Sequence, residues 1–258
     1  MYELVNRISE LLPGYMLTFF RITSMLMVMP IFGYVNVPVR VRLAFGFVLS
    51  LVIFPVVTSY VHIGNVEELL LGVSREIFIG LITGFGARLV FEGFYMAGSF
   101  IGRQVGLGIA NVMDPSSRQQ LPIVSNFWLV LLIVYFLTAN AHYYLIEVLV
   151  RNFNVVPLGE GSLNAALGRH VVSGGSLFFS IALRMAVPAM VFLLLVDIAI
   201  SFTARVMPQM NIFFVTLPLK IFTGIVVLII SLDIFQVVFG SFYGELVEYV
   251  NGILLLMR

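Results

Sequence analysis

Charged side chains recur inside apolar segments that are themselves too long for plain membrane spans. Three such segments, near residues 69–102, 171–204 and 209–244, run 34 to 36 residues. Arg75, Glu76, Arg88 and Glu92 interrupt the first of them, Arg184 and Asp197 the second, and Lys220 and Asp233 the third. About 20 apolar residues cross a bilayer as a helix. A charge at mid-span costs about 2.5–3.5 kcal/mol on an insertion scale, while each Leu or Ile returns about 0.3–0.6. As lone lipid-facing helices, segments with two charges are marginal. Either their charges face a protein interior or a watery path, or the segments do not sit as ordinary spans, or the charges lie at helix ends and reach the headgroups.

Composition narrows the class further. Of 258 residues, 60% are hydrophobic and 10% charged, too few polar groups to cover a soluble domain. The net charge of +1 excludes a basic nucleic-acid binder, and the hydrophobicity excludes a disordered chain. Cysteine is absent, which removes thiol chemistry and disulfide scaffolds. Thirteen of the fourteen basic residues are Arg, with Lys220 the exception. Arg is favoured for paired, partly buried charges. The sequence therefore predicts an all-α integral membrane protein with about six apolar segments, some of them broken or hairpin-like. The other three lie near 14–35, 43–61 and 121–148. Arg21 sits in the middle of the first. Pro188, Pro208 and Pro218 are the natural break points in the long segments. Met1 to Leu12, with its mixed charges, reads as an amphipathic lead-in and not as a secretory signal.

Two ridges of small residues follow helical spacing. Gly98, Gly102, Gly106 and Ala110 recur every four residues, as do Glu76, Gly80, Gly84, Arg88 and Glu92. Small residues at that spacing let membrane helices approach closely. A four-residue ridge drifts about 40° per step, so it winds around its helix. Arg88 and Glu92 are placed to pair on one helix. The ridges suit a tight groove with charged pins, and equally the ordinary glycine use of membrane helices.

The passage from Gly102 to Pro122, GRQVGLGIANVMDPSSRQQLP, stands apart. Gly106 and Gly108 break the helix, Ile109 to Met113 is small or apolar, and Asp114-Pro115 turns. A loop with an apolar middle is ill suited to water, and its free backbone groups are ill suited to lipid. It belongs inside protein or across a cavity. It is no nucleotide fingerprint, because the Gly-x-Gly-x-x-Gly spacing is missing. Nor is there a catalytic constellation: His62, His142 and His170 stand apart without metal-ligand spacing. No enzymatic role, cofactor or metal is expected.

Several blocks, taken together in order, carry a family resemblance. They are Phe20-Arg21, Pro30-Ile31-Phe32-Gly33, the run from Val37 to Leu43, Arg75-Glu76 with Gly80, and Gly102-Arg103-Gln104-Val105-Gly106. Asp114-Pro115, Asn140-Ala141-His142, Val156-Pro157-Leu158-Gly159, Met207 to Phe213 and Leu217 to Lys220 continue the series. In these blocks the chain resembles the FliR family of flagellar type III export-gate proteins, whose injectisome counterparts form the wider family. The resemblance covers nearly the whole chain. It implies one domain over 1–258, with a FliP-like part over about 1–170 and a FliQ-like helical hairpin over about 171–258. It implies FliP-like and FliQ-like partners, FlhB-like and FlhA-like export components, unfolded flagellar substrates, and a place in the bacterial inner membrane at the flagellar basal body. It implies that Gly106, Leu107, Gly108, Ile109, Ala110, Asn111, Val112, Met113 and Asp114 form a plug closing the export pore. Independently of the resemblance, the ridges and the charges within apolar segments lead to the expectation that Arg21, Glu76, Gly80, Gly84, Arg88, Glu92, Gly98, Gly102, Arg184, Asp197 and Lys220 contact other helices or subunits. The rival class is a small-molecule or ion transporter or channel. Intramembrane charges and Pro-broken helices favour it, and the lack of an internal repeat of matched broken segments weighs against it.

Overall fold

The computed structural model describes residues 2–33, 37–57, 65–107, 122–209 and 211–258. Among the described residues the chain is helical, without strands. The helices are α1 (Tyr2–Val28), α2 (Val39–Val57), α3 (Val66–Val105), α4 (Ile123–Thr138), α5 (His142–Val155), α6 (Ala165–Val206) and α7 (Ile212–Leu256). Five are long and apolar enough to cross a membrane, or up to six if the interrupted pair α4 and α5 counts as one span. The chain is a helical membrane protein.

Local chemistry explains the ends. Glu67 and Glu68 in the first turn of α3 favour its positive N-terminal pole, and Arg103 lies at the opposite end. At the end of α3, Gly106 N–H bonds Arg103 O at 3.1 Å and Leu107 N–H bonds Gly102 O at 3.3 Å. With Gly106 at φ 89°, this is a Schellman stop. Asn140 ends α4 the same way, with φ 58° and bonds from Asn140 to Leu137 and from Ala141 to Phe136. The long apolar run expected over 121–148 is therefore two helices, cut by an Asn that tolerates the left-handed conformation. Asn164 caps α6, its Oδ1 accepting the Leu167 N–H at 2.7 Å.

The three overlong segments are single continuous helices of 40, 42 and 45 residues. At 1.5 Å per residue they span about 60–68 Å, roughly twice the hydrocarbon thickness. Pro188 and Pro218, expected as break points, lie inside α6 and α7, while Pro208 does sit in the turn between them. A helix tolerates an interior proline when neighbouring groups satisfy the freed carbonyl.

The chain forms two compact units that alternate along its length. One comprises Met1–Leu89, Phe136–Gly175 and Glu245–Arg258, the other Val90–Tyr135 and Ser176–Gly244. In the first, α1 lies against α2 through the Tyr15, Phe47 and Phe54 rings, and Gly46 lets α2 approach Thr23. The C-terminal part of α7 reaches α3 through Ile253 at Gly86, and stacks Tyr249 on His170 at 4.8 Å. Burial raises the Tyr249 phenol above its usual pKa. In the second unit the core is aromatic: Phe94 packs on Phe235 and Phe242, and Trp128 and Tyr135 close on Phe235 and Phe239.

Candidate functional site

Two polar clusters built around charged pairs stand out among the described residues, one within each unit. In the first unit Arg21 of α1 is 1% exposed and Glu76 of α3 is fully buried, and Arg21 Nε donates to Glu76 Oε2. The guanidinium fork is otherwise well used. One terminal nitrogen donates to Asn152 Oδ1 at 3.0 Å and to Val156 O at 2.6 Å, and the other to Pro157 O at 3.3 Å. The guanidinium carbon lies 4.6 Å from the Phe153 ring centre. Glu76 Oε1 accepts the Gly159 N–H at 2.8 Å. Asn152 passes the network on to Thr83 Oγ1 at 3.0 Å, and Thr83 donates to Ile79 O at 2.8 Å. A buried ion pair is tolerated when its remaining hydrogen-bonding groups are met, and here they are. Two bonds, Glu76 to Gly159 and Arg75 to Gly159 O at 2.6 Å, hold a tight turn over Pro157–Glu160 in which Gly159 supplies φ 81°. The cluster thus ties α1, α3, α5 and the turn after α5 at one point.

Gly80 and Gly84 make this closeness feasible. A Cβ on Gly80 would strike Ser24 Oγ and Arg21 O, and one on Gly84 would stand 2.6 Å from Met25 O. The ridge Glu76, Gly80, Gly84 therefore faces α1 of the same chain. Gly98 plays the same part in the second unit, where its absent Cβ would lie 2.7 Å from Ser125 N. Gly102 is looser, 3.5 Å from the Val124 side chain.

The second cluster joins three helices. Lys220 Nζ of α7 lies 2.6 Å from Asp197 Oδ1 of α6, and Gln104 Nε2 of α3 donates to Asp197 Oδ2 at 3.0 Å. Lys220 is 18% exposed and Asp197 32%, so the pair is only partly buried. Both lie within candidate spans, toward the turn that links α6 and α7. Sequence spacing left Asp197 without an assigned partner.

The other singled-out residues are placed as follows. Arg88 and Glu92 are half-buried and Arg184 is exposed. Gly106 and Leu107 form the stop of α3, whereas Gly108 to Asp114 lie outside the described residues. Asn152, Thr83 and Gln104 were missed as site residues. Asn152 meets Arg21 across 131 positions, a separation that no local pattern marks. Among the described residues no cluster of His, Asp or Glu has the makings of a metal site. The arrangement holds charges in place.

Comparison with known proteins adds the lineage. The family described as bacterial export proteins, family 1, matches residues 12–246. The chain is 30% identical over 256 residues to the flagellar biosynthetic protein FliR of Bacillus subtilis (strain 168), covering 98% of this chain and 99% of that protein. It is 32% identical over 206 residues to the protein of the same name in Escherichia coli (strain K12), covering 80% and 78%. It is 30% identical to that of Caulobacter vibrioides over 239 residues, covering 90% and 93%.

Proposed function

The chain belongs to the FliR family of bacterial export proteins, and from that footing we propose that it is the FliR-type subunit of a flagellar type III export gate. In this reading it assembles with FliP-like and FliQ-like subunits in the bacterial inner membrane, at the flagellar basal body. FlhB-like and FlhA-like components adjoin the assembly. Together the subunits form the pore by which unfolded flagellar proteins enter the export path. The segment from Gly106 to Asp114 plugs that pore, and the chain performs no catalysis.

The observation that carries this reading is the end-to-end match to a flagellar protein, over 98% of one chain and 99% of the other. Surface chemistry supports it. The outward side of α6 and α7 is apolar over many turns, with Val187, Val191, Leu195, Phe202, Phe222 and Ile229 all exposed. A protein with so much apolar surface associates with partners or lipid. The Schellman stop at Gly106 supports the plug, because it ends α3 at the head of the segment proposed to form it.

Purification from membranes tests the proposal. An export gate brings down two other small membrane proteins in unequal copy numbers. A chain that purifies alone, or as a symmetric oligomer of itself, would overturn the proposal in favour of a transporter.

A further inference from the structure

The end of α3 is fastened within the second unit at two successive residues. Gln104 Nε2 donates to Asp197 Oδ2 of α6 at 3.0 Å. Val105, 3% exposed, fills the notch that Gly224 leaves in α7, where a Cβ would stand 2.5 Å from Val105 Cγ2. Asp197 divides its carboxylate: Oδ1 takes Lys220 of α7 at 2.6 Å, and Oδ2 takes Gln104. The ion pair joins α6 to α7, and Gln104 ties α3 to that pair. Arg103, one residue earlier, turns back along its own helix to Ser99 Oγ at 2.7 Å and to the Phe100 ring. Directly after this fastening the helix stops, with Gly106 at φ 89°.

A fixed point thus comes first along the chain and a glycine second. Glycine at positive φ adopts backbone conformations closed to most other residues, so the chain changes direction there at low cost. Whatever holds the helix end on α6 and α7 sets where the chain beyond Gly106 starts and which way it leaves. The unit does not need this tether for its fold. Earlier turns of α3 are held separately, by Phe94 on Phe235 and Phe242 and by the close approach of Gly98 to Ser125. One hydrogen bond to a partly exposed carboxylate contributes a small share beside such packing. Its loss loosens the last turn of α3 and leaves the rest in place.

We propose that Gln104 is a positioning residue for the closed pore, an inference that rests on reading the segment from Gly106 as the plug. With Val105 in the Gly224 notch, Gln104 anchors the root of that segment to the Asp197–Lys220 pair. The anchor stays with α6 and α7, and displacement of the segment is confined to the chain from Gly106 onward.

The test is ion leak across membranes that hold the assembled complex, scaled to the amount of complex. Deletion of Gly106 to Met113 is the reference for an open pore. Gln104→Ala is expected to raise leak severalfold, toward that reference. A rescue is open because the chain has no cysteine of its own. A Cβ on Gly224 would lie 3.3 Å from Val105 Cβ, a few tenths of an ångström short of the roughly 3.5–4.5 Å between Cβ atoms in a disulfide. Val105→Cys with Gly224→Cys therefore binds α3 to α7 where Gln104→Ala has cut it from α6. The triple variant is expected to leak under reducing conditions, and oxidation of the same preparation to return leak to the unmodified level. Normal leak in Gln104→Ala beside raised leak in the deletion would overturn the anchor and spare the plug. So would a disulfide that forms without lowering leak. A complex that no longer assembles with Gln104→Ala would overturn it too, since the residue would then serve the fold. Normal leak in the deletion would overturn the plug reading, and the anchor with it.

Discussion

Arg21 shows why a charge sits in the middle of an apolar segment. An isolated guanidinium there would be expelled, yet it gains Glu76, Asn152 and two carbonyls within one pocket. The energetics are asymmetric. Removing one partner of a buried pair leaves the other charge uncompensated and costs about 3–5 kcal/mol, whereas replacing both with apolar groups is often neutral. Arg21→Ala is therefore expected to abolish accumulation of the folded chain in membranes. The double variant Arg21→Met with Glu76→Leu recovers most of it, read as protein level and melting temperature in detergent. Equal losses in single and double variants would show that the pair is needed for more than charge compensation. Arg21→Lys is expected to fail nearly as badly, because an ammonium cannot serve Glu76, Asn152 and Val156 from one planar fork.

At the scale of the helices, the Asp197–Lys220 pair fastens α6 to α7 where each crosses apolar surroundings. Lys220→Leu leaves Asp197 inside a span, where an isolated acid costs about 2.5–3.5 kcal/mol on an insertion scale. Exposure of Asp197 near the α6–α7 turn reduces that figure. The single variant is expected to lower the level of membrane-inserted chain severalfold. The swap Asp197→Lys with Lys220→Asp is expected to restore it, as measured by quantitative immunoblot. The segment after α3 carries its own prediction. If the proposed plug closes the pore, deletion of Gly106 to Met113 in the assembled complex raises ion leak across the membrane, because a hydrophobic constriction excludes water and ions. Unchanged leak in a complex that still assembles would sink the plug.

On the scale of the whole molecule, α3, α6 and α7 each contribute residues to both units. Their inward faces are finished, with aromatic cores and glycine approaches, while their outward faces are left apolar. Apolar surface on this scale is covered by lipid or by partners. Without the partner subunits proposed above, the chain is expected to aggregate or turn over quickly, a loss that co-production of those subunits reverses. Steady-state levels in cells lacking and restoring the partners check this, and equal levels would contradict it.

Much of this was legible in the linear chain. Hydropathy and the spacing of charges alone marked a helical membrane protein with six apolar stretches, because the bilayer imposes one length and one hydrogen-bonding solution on every span. Ordered motifs identified the family. Gly106 as a helix stop, and the small-residue ridges at Gly80 and Gly98, follow from backbone sterics that act within a few residues. The pairing of charges did not follow. Arg21 with Glu76, and Asp197 with Lys220 and Gln104, join positions 23 to 93 residues apart, and spacing carries no information over such a distance. Of the three prolines expected as break points, Pro208 does stand in a turn, but α6 and α7 continue through Pro188 and Pro218. What the residues determined unaided was which groups had to leave water and which could not enter lipid alone. What the tertiary structure decided was their partners, since a buried charge is stabilised by whichever donor or acceptor the fold brings within about 3 Å of it.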